Sequence, residues 1–306
     1  MSDEPLPKDL REKYDALLDR LRTYGRLAVA FSGGVDSSLL LRAVCEAVGR
    51  DNALGIIASS ETLTRAEFDA ACALARAQGF PLRVVEYSEL GIANYSRNPV
   101  DRCYFCKKEL FARLREAARE QGIETLADGS SHEDLTDDYR PGMRAARELG
   151  VVSPLMDLGF RKDEIRALAR AFGLPNWNKP SAACLSSRFP YGTPITREGL
   201  EQVARAEAFL LDRGFSQVRV RRHENIARIE LAPAEIPRLA DPALRAAIVE
   251  AFKEIGFRYV ALDLQGYRTG SLNEGLDLTP NPPTKESGVR TQAPPKHAPK
   301  SSGMGI

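Results

Sequence analysis

The run Phe31-Ser32-Gly33-Gly34-Val35-Asp36-Ser37-Ser38 stands between an apolar stretch, Leu27 to Phe31, and a helical pattern over Ser37 to Val48. A buried strand that enters a glycine turn and leaves it as a helix is an anion-binding arrangement. Two adjacent glycines let the backbone approach a phosphate, and the N–H groups that follow point outward from the helix start. Ser32, Ser37 and Ser38 add hydroxyl donors. The run lacks the Gly-Lys-Ser/Thr ending of a Walker loop and the three-glycine spacing of a dinucleotide fingerprint. The plain alternative is an ordinary serine-capped turn, and the strand–loop–helix setting favours a nucleotide.

Outward from this loop the pattern alternates. Residues 9–24 place Leu10, Tyr14, Leu17, Leu18 and Leu21 at helical spacing. Ala53 to Ala58 reads as a second buried strand, and Thr64 to Gln78 as a helix with Phe68, Ala71, Cys72 and Ala75 on one stripe. Leu82 to Tyr87 is a third strand, residues 101–120 are helical, Thr125 to Ala127 is strand-like, and helices follow near 140–148 and 161–172. Such alternation predicts an α/β fold built on an open parallel sheet covered on both faces. Residues 173–196, rich in Pro, Ser, Gly and Asn, read as irregular. A small α+β unit follows: helix Glu198 to Arg213, strands 217–221 and 226–231, helix Pro242 to Ile255, and strand Arg258 to Leu264. Asp241 is the expected N-cap of the last helix, with Pro242 at its first position. The expected organisation is a nucleotide domain over 1–190, a smaller domain over 191–275, and a proline-rich disordered tail over 276–306.

The 306 residues are 43% hydrophobic and 28% charged, and 43 basic against 42 acidic residues leave a net charge of +1. A chain so balanced has no general attraction to nucleic acid. No apolar stretch reaches transmembrane length, and the acidic, proline-containing start MSDEPLPKDL does not read as a secretory signal. These features predict a cytoplasmic protein. Five cysteines, an odd number, do not read as a disulfide framework, so the thiols are core filler, catalytic groups or ligands. Cys45 and Cys72 fall on apolar helix stripes and read as packing. Cys103 and Cys106, at i and i+3 near a helix start, share one face where the helix dipole favours thiolate. Alone they read as a redox pair, half of a zinc site, or two buried thiols. Zinc would need a fourth ligand, and only His132 and His223 stand outside the tail. With Cys184 the pair could also hold a 4Fe–4S cluster by three of its irons.

SGGVDSS resembles the PP-loop of the ATP pyrophosphatase superfamily. The resemblance implies that Ser32, Gly33, Gly34, Asp36, Ser37 and Ser38 hold the pyrophosphate of Mg²⁺-ATP while the α-phosphate is attacked, releasing AMP and pyrophosphate. It also implies adenine at the end of the second strand, at Ala58, Ser59 and Ser60. DRCYFCKKELF (101–111), the stretch 127–155, and KPSAACLSSRFPYGTPIT (179–196) together resemble the LarE family over roughly residues 9–275. That family contains ATP-dependent sulfur transferases of nickel-pincer nucleotide cofactor synthesis. The implied chemistry is adenylation of a carboxylate of pyridinium-3,5-biscarboxylic acid mononucleotide, then displacement of AMP by sulfur. Some members sacrifice the sulfur of one cysteine, at the position of Cys184. Others use a 4Fe–4S cluster, and the presence of Cys103 and Cys106 beside Cys184 favours that version here.

In SQVRVRRHE, strand alternation puts Val218 and Val220 on one face and Arg219 and Arg221 on the other, and IARIEL alternates likewise. A solvated face of a small sheet explains this pattern. The resemblance implies instead a phosphate and carboxylate pocket from Ser187, Arg188, Glu207, Arg219, Arg221 and Glu230. Asp128, which ends a strand, either orients substrate or Mg²⁺ or caps the next segment. His132 reads as a surface residue and Trp177 as packing. The resemblance further suggests a homo-oligomer acting on a small nucleotide. Competing readings are a tRNA-thiolating enzyme, against which the neutral charge counts, an amidotransferase synthetase, which would need an ammonia source, and a nucleotide-binding regulator without chemistry.

Overall fold

The computed structural model describes residues 6–135, 141–180, 183–268 and 270–274. The expected tail, residues 136–140, and Ser181 and Ala182 beside Cys184 lie outside the described residues. The helices and strands of the first part are α1 (Lys8–Arg22), β1 (Leu27–Ala30), α2 (Val35–Val48), β2 (Ala53–Ser59), α3 (Arg65–Gln78), β3 (Leu82–Glu86), α4 (Arg102–Arg119), β4 (Thr125–Ala127), α5 (Pro141–Glu148), α6 (Pro154–Asp157) and α7 (Lys162–Ala171). The strands form one parallel sheet in the order β3-β2-β1-β4, with Leu27 level with Ala53 on one side and Thr125 on the other.

Alternation along β1 assigns the two faces. Leu27 and Val29 enter a core with α1, α2, α3 and α7, through Leu17, Leu21, Leu40, Ala71 and Ile165. Ala28 enters the opposite core with α4 and α5, through Phe111, Leu114 and Ala146. Cys45 and Cys72 are partly buried against the first core. Both faces of the inner strands are covered, so β1 and β2 read as apolar runs, whereas the edge strand β3 carries Arg83 and Glu86. The chain runs from β1 outward to β2 and β3, then crosses back to place β4 on the other side of β1. The carboxyl end of β1 is therefore the point where the strand order reverses, the usual ligand crevice of such sheets.

The second part comprises α8 (Arg197–Asp212), β5 (Val218–His223), β6 (Ile226–Leu231), α9 (Pro242–Ile255) and β7 (Tyr259–Leu262). β5 and β6 are an antiparallel hairpin, and β7 joins β6 in parallel. Val218, Val220, Ala227 and Ile229 pack on Ala206 and Leu210 of α8 and on Ile248 and Phe252 of α9. Asp241 caps α9 as expected, accepting from the N–H of Ala243 at 2.9 Å. A further small core unites Tyr95, Leu185, Phe189, Ile195 and Val203, with Cys106 packed against it.

Several boundaries move by a residue or two, as helix ends fray. The expected irregular stretch 173–196 contains a 3-10 turn, Leu185–Arg188. α6 and a 3-10 stretch, Pro233–Ala240, were not anticipated, because four to eight residues carry too little periodicity to read. Among the described residues no helix is long and apolar enough to cross a membrane.

Candidate functional site

The glycine loop closes on itself through serine. Ser37 Oγ receives the N–H of Ser32 at 3.2 Å, lies 3.1 Å from Ser32 Oγ, and donates to the Gly34 carbonyl at 3.2 Å. Ser38 Oγ donates to the same carbonyl at 2.8 Å. α2 begins at Val35 with no side-chain cap, which leaves its first-turn N–H groups without a side-chain acceptor. Gly33 sits at φ +68°, and a Cβ there would lie 2.5 Å from the Cβ of Ala71. A Cβ on Gly129, after β4, would lie 2.9 Å from the Ser37 nitrogen. The loop is thus clasped between α3 and the β4 end, with no room for a side chain at Gly33 or Gly129.

Two residues that the sequence reading missed complete the loop. Asn176 donates from Nδ2 to the Gly33 carbonyl and to Ser38 Oγ, each at 3.0 Å. Lys162, the first residue of α7, reaches from Nζ to Asp36 Oδ1. Crossover packing brings both in from over a hundred residues away, a separation that spacing motifs cannot reveal. Asp128 follows β4, and its carboxylate accepts from Ser153 Oγ at 2.7 Å and from the N–H and Oγ of Ser130 at 3.2 and 2.9 Å. This geometry organises the loop that carries Gly129. His132 is exposed, and Trp177 is partly buried against the main core.

Ser59 ends β2, and the residues after it lead to the thiols. Glu89, only 4% exposed, accepts from Ser60 Oγ at 2.8 Å, Thr62 Oγ1 at 2.7 Å and Tyr87 Oη at 3.2 Å. Its other oxygen accepts from Cys106 Sγ at 3.5 Å. The Thr62 carbonyl in turn accepts from the N–H of Leu185, next to Cys184, at 3.1 Å. One strand end therefore borders both the expected adenine position and the cysteine region. All five cysteines are free.

Burial raises the Cys106 thiol well above its ordinary value, with the charges of Glu89 and Cys184 adding to the effect. Burial also raises Cys184, against the opposing pull of Arg102, with Cys103 and Glu89 adding to the rise. The expectation that a helix start would favour thiolate is therefore corrected for Cys106, where desolvation and a neighbouring carboxylate outweigh the dipole. Cys184 is solvent-accessible even though protein atoms crowd around it. Cys103, Cys106 and Cys184 lie within electrostatic reach of one another. Among the described residues no three His, Cys, Asp or Glu side chains stand ready to hold a metal ion.

The arginine face of the β5–β6 hairpin is buried at Arg221 and Glu230 and half-buried at Arg219. Arg221, 6% exposed, pairs Nε and Nη2 with the two oxygens of Glu230, 1% exposed, at 2.9 and 3.0 Å. Arg221 Nη1 donates to the Ser187 carbonyl at 2.6 Å. Arg188 pairs with both oxygens of Glu207 at 2.8 Å, and its Nη1 donates to the carbonyls of Ala183 and Cys184 at 2.7 and 3.0 Å. The forks of Arg188 and Arg221 are thus occupied, and they hold the Cys184 segment. Arg219 shares their face, opposite Glu230 in register, and no carboxylate pairs with it among the described residues. Burial and the charges of Arg188 and Arg221 lower its affinity for a proton, and its guanidinium lies over the Tyr267 ring.

A parallel sheet with a serine- and glycine-built anion loop at its switch point, and a nucleotide crevice beside free thiols, defines a PP-loop ATP pyrophosphatase-type enzyme. No protein-family model matches the chain. It is 43% identical over 266 residues to an uncharacterized Synechocystis protein, covering 86% of this chain and 98% of that one. It is 40% identical over 267 residues to the pyridinium-3,5-bisthiocarboxylic acid mononucleotide synthase of Lactiplantibacillus plantarum, covering 87% of this chain and 96% of that one. A glutamine-hydrolyzing GMP synthase of Mesorhizobium japonicum is 30% identical over 216 residues, 61% of this chain and 40% of that protein. The chain belongs to the LarE family of PP-loop sulfurtransferases.

Proposed function

We propose that this enzyme adenylates a carboxylate of pyridinium-3,5-biscarboxylic acid mononucleotide with ATP and converts it to a thiocarboxylate. The observation that carries the reading is the shared border of the two sites. The end of β2, beside the PP-loop strand, contacts both Cys106 through Glu89 and the Cys184 segment through Thr62. The carboxylate oxygen attacks the α-phosphorus of ATP and pyrophosphate leaves from the loop formed by Ser32, Gly33, Gly34, Asp36, Ser37 and Ser38; Mg²⁺, when bound, would balance its charge. The acyl adenylate then loses AMP to a sulfur nucleophile, whose electron pair forms the new carbon–sulfur bond. Ser59 borders the adenine, Arg219 with Ser187 faces the nucleotide phosphate, and Arg188, Glu207, Arg221 and Glu230 keep that face rigid.

For the sulfur source we favour a 4Fe–4S cluster held by Cys103, Cys106 and Cys184. The support is chemical: the three thiols act on one another's charge, though they are not already grouped as a metal site among the described residues, and buried Arg102 carries a positive charge with no carboxylate beside it. Such a cluster, when bound, would supply a sulfide at the iron that no cysteine holds. Because burial keeps Cys106 protonated, loading would release its proton. The accessibility of Cys184 supports a second reading, in which its own sulfur is sacrificed. The scheme suits a cytoplasmic homo-oligomer with residues 191–275 as the substrate-facing domain.

Anaerobic purification with iron and sulfide analysis, on the wild type and on Cys103→Ala, tests the source. Iron and sulfide in the wild type and their loss in Cys103→Ala are expected. A protein that takes up no iron on reconstitution, yet turns Cys184 into dehydroalanine with each product, would contradict the cluster.

A further inference from the structure

Arg102 opens α4 one residue before Cys103 and is 2% exposed. Such burial of a guanidinium is costly unless an anion accompanies it. Among the described residues the two other arginines less than a tenth exposed each have a carboxylate: Glu207 for Arg188 and Glu230 for Arg221. Among the described residues none pairs with Arg102. Its Nη1 donates to the side chain of Asn98 and, at 3.0 Å, to the carbonyl of Ser186, and its face lies over the Tyr191 ring. These partners are neutral. They hold the guanidinium between the helix that carries Cys103 and the turn that carries Cys184. After burial itself, Cys184 and Cys103 act on its charge most strongly, followed by Tyr95 and Tyr191.

Asn98 fixes this placement. It sits at φ +56°, fully buried, and donates to the carbonyls of Phe189 at 3.3 Å and Pro190 at 2.8 Å. The N–H of Gly192 bonds its carbonyl at 2.8 Å. A buried asparagine in a left-handed conformation holds the guanidinium at the Ser186 carbonyl, two residues after Cys184, rather than toward solvent.

We infer that Arg102 is a positioning residue whose buried positive charge is the counter-ion for anionic sulfur at Cys184, whether that sulfur is a thiolate, a persulfide or a cluster ligand. This rests on the reading of Cys184 as the sulfur-bearing residue. Glu89 opposes the effect from the Cys106 side, while Arg188 is already neutralised by Glu207.

The test compares alkylation of Cys184 by anionic iodoacetate and neutral iodoacetamide in the full, reduced, metal-free chain, followed by peptide mass mapping. In the wild type, the iodoacetate-to-iodoacetamide rate ratio should exceed that of a free cysteine peptide by about three- to tenfold. Arg102→Gln, which keeps a donor for the Ser186 carbonyl without the charge, should bring the ratio to the peptide value. Arg102→Lys should restore most of it. A wild-type ratio at or below the peptide value overturns the inference without any variant, and an unchanged ratio in Arg102→Gln overturns it as well. Thiocarboxylate formation measured on the iron- and sulfide-reconstituted wild type with Mg²⁺-ATP separates the two readings: its absence defeats the proposed function and leaves the charge measurement on the metal-free chain standing.

Discussion

Replacing Gly33 by alanine tests how tightly the loop is clasped. The residue sits at φ +68°, where an L side chain costs about 1–2 kcal/mol. The added Cβ would meet the Cβ of Ala71 at 2.5 Å and its Cα at 3.0 Å. Overpacking of this kind costs about 1–3 kcal/mol. Gly33→Ala should therefore destabilise the protein by about 2–5 kcal/mol, or push the loop off α3 and weaken ATP binding by a matching factor. Ala71→Gly alone should cost about 1 kcal/mol, as glycine does inside a helix. In the double variant the Cβ–Cβ clash vanishes while the backbone strain stays, so the two changes should couple favourably by about 1–2 kcal/mol. Urea unfolding gives the stabilities and calorimetric titration with ATP gives the affinities. If Gly33→Ala loses less than about 0.5 kcal/mol and binds ATP as the wild type does, the clasp is not what shapes the loop.

Asn176→Ala removes two hydrogen bonds to the loop and should cost about 1–2 kcal/mol in urea unfolding, with a higher ATP dissociation constant by titration. Glu230→Gln leaves Arg221 and Arg228 facing a neutral amide and should cost about 3–5 kcal/mol, whereas the paired change Arg221→Met with Glu230→Leu should cost far less; thermal melts compare them. The Cys106 and Cys184 thiols are raised by burial, so the folded state keeps protons that the unfolded chain has released. Their contribution is fully present below the ordinary thiol value of about 8.5 and is lost as pH rises above it. The decline seen in urea unfolding between neutral and alkaline pH should shrink in a Cys106→Ala, Cys184→Ala variant. Thr64→Ala removes the capping box with Glu67 and should cost about 1 kcal/mol.

The central sheet was readable because its inner strands β1 and β2 are apolar runs and each helix carries one apolar stripe. The loop was readable because glycine and serine at a strand–helix junction have few other uses. What could not be read lies at long range. Glu89 gives no local sign that it is buried beneath three hydroxyls and a thiol, since glutamates are ordinarily solvated. Strand alternation correctly placed Arg219 and Arg221 on one face, but could not show that Glu230 and Glu207 occupy the forks of Arg221 and Arg188. The i, i+3 spacing of Cys103 and Cys106 suggested dipole-stabilised thiolates, yet the tertiary fold decides the protonation of Cys106 by burying it.

The most direct measurement is a single-turnover reaction. The anaerobically purified protein is mixed with Mg²⁺-ATP and pyridinium-3,5-biscarboxylic acid mononucleotide, and mass spectrometry follows the nucleotide, AMP and the Cys184 peptide. Sulfur transfer predicts one AMP released for each carboxylate converted to thiocarboxylate, and loss of product in Cys184→Ala. AMP formed only with tRNA, or thiocarboxylate formed undiminished by Cys184→Ala, would contradict it.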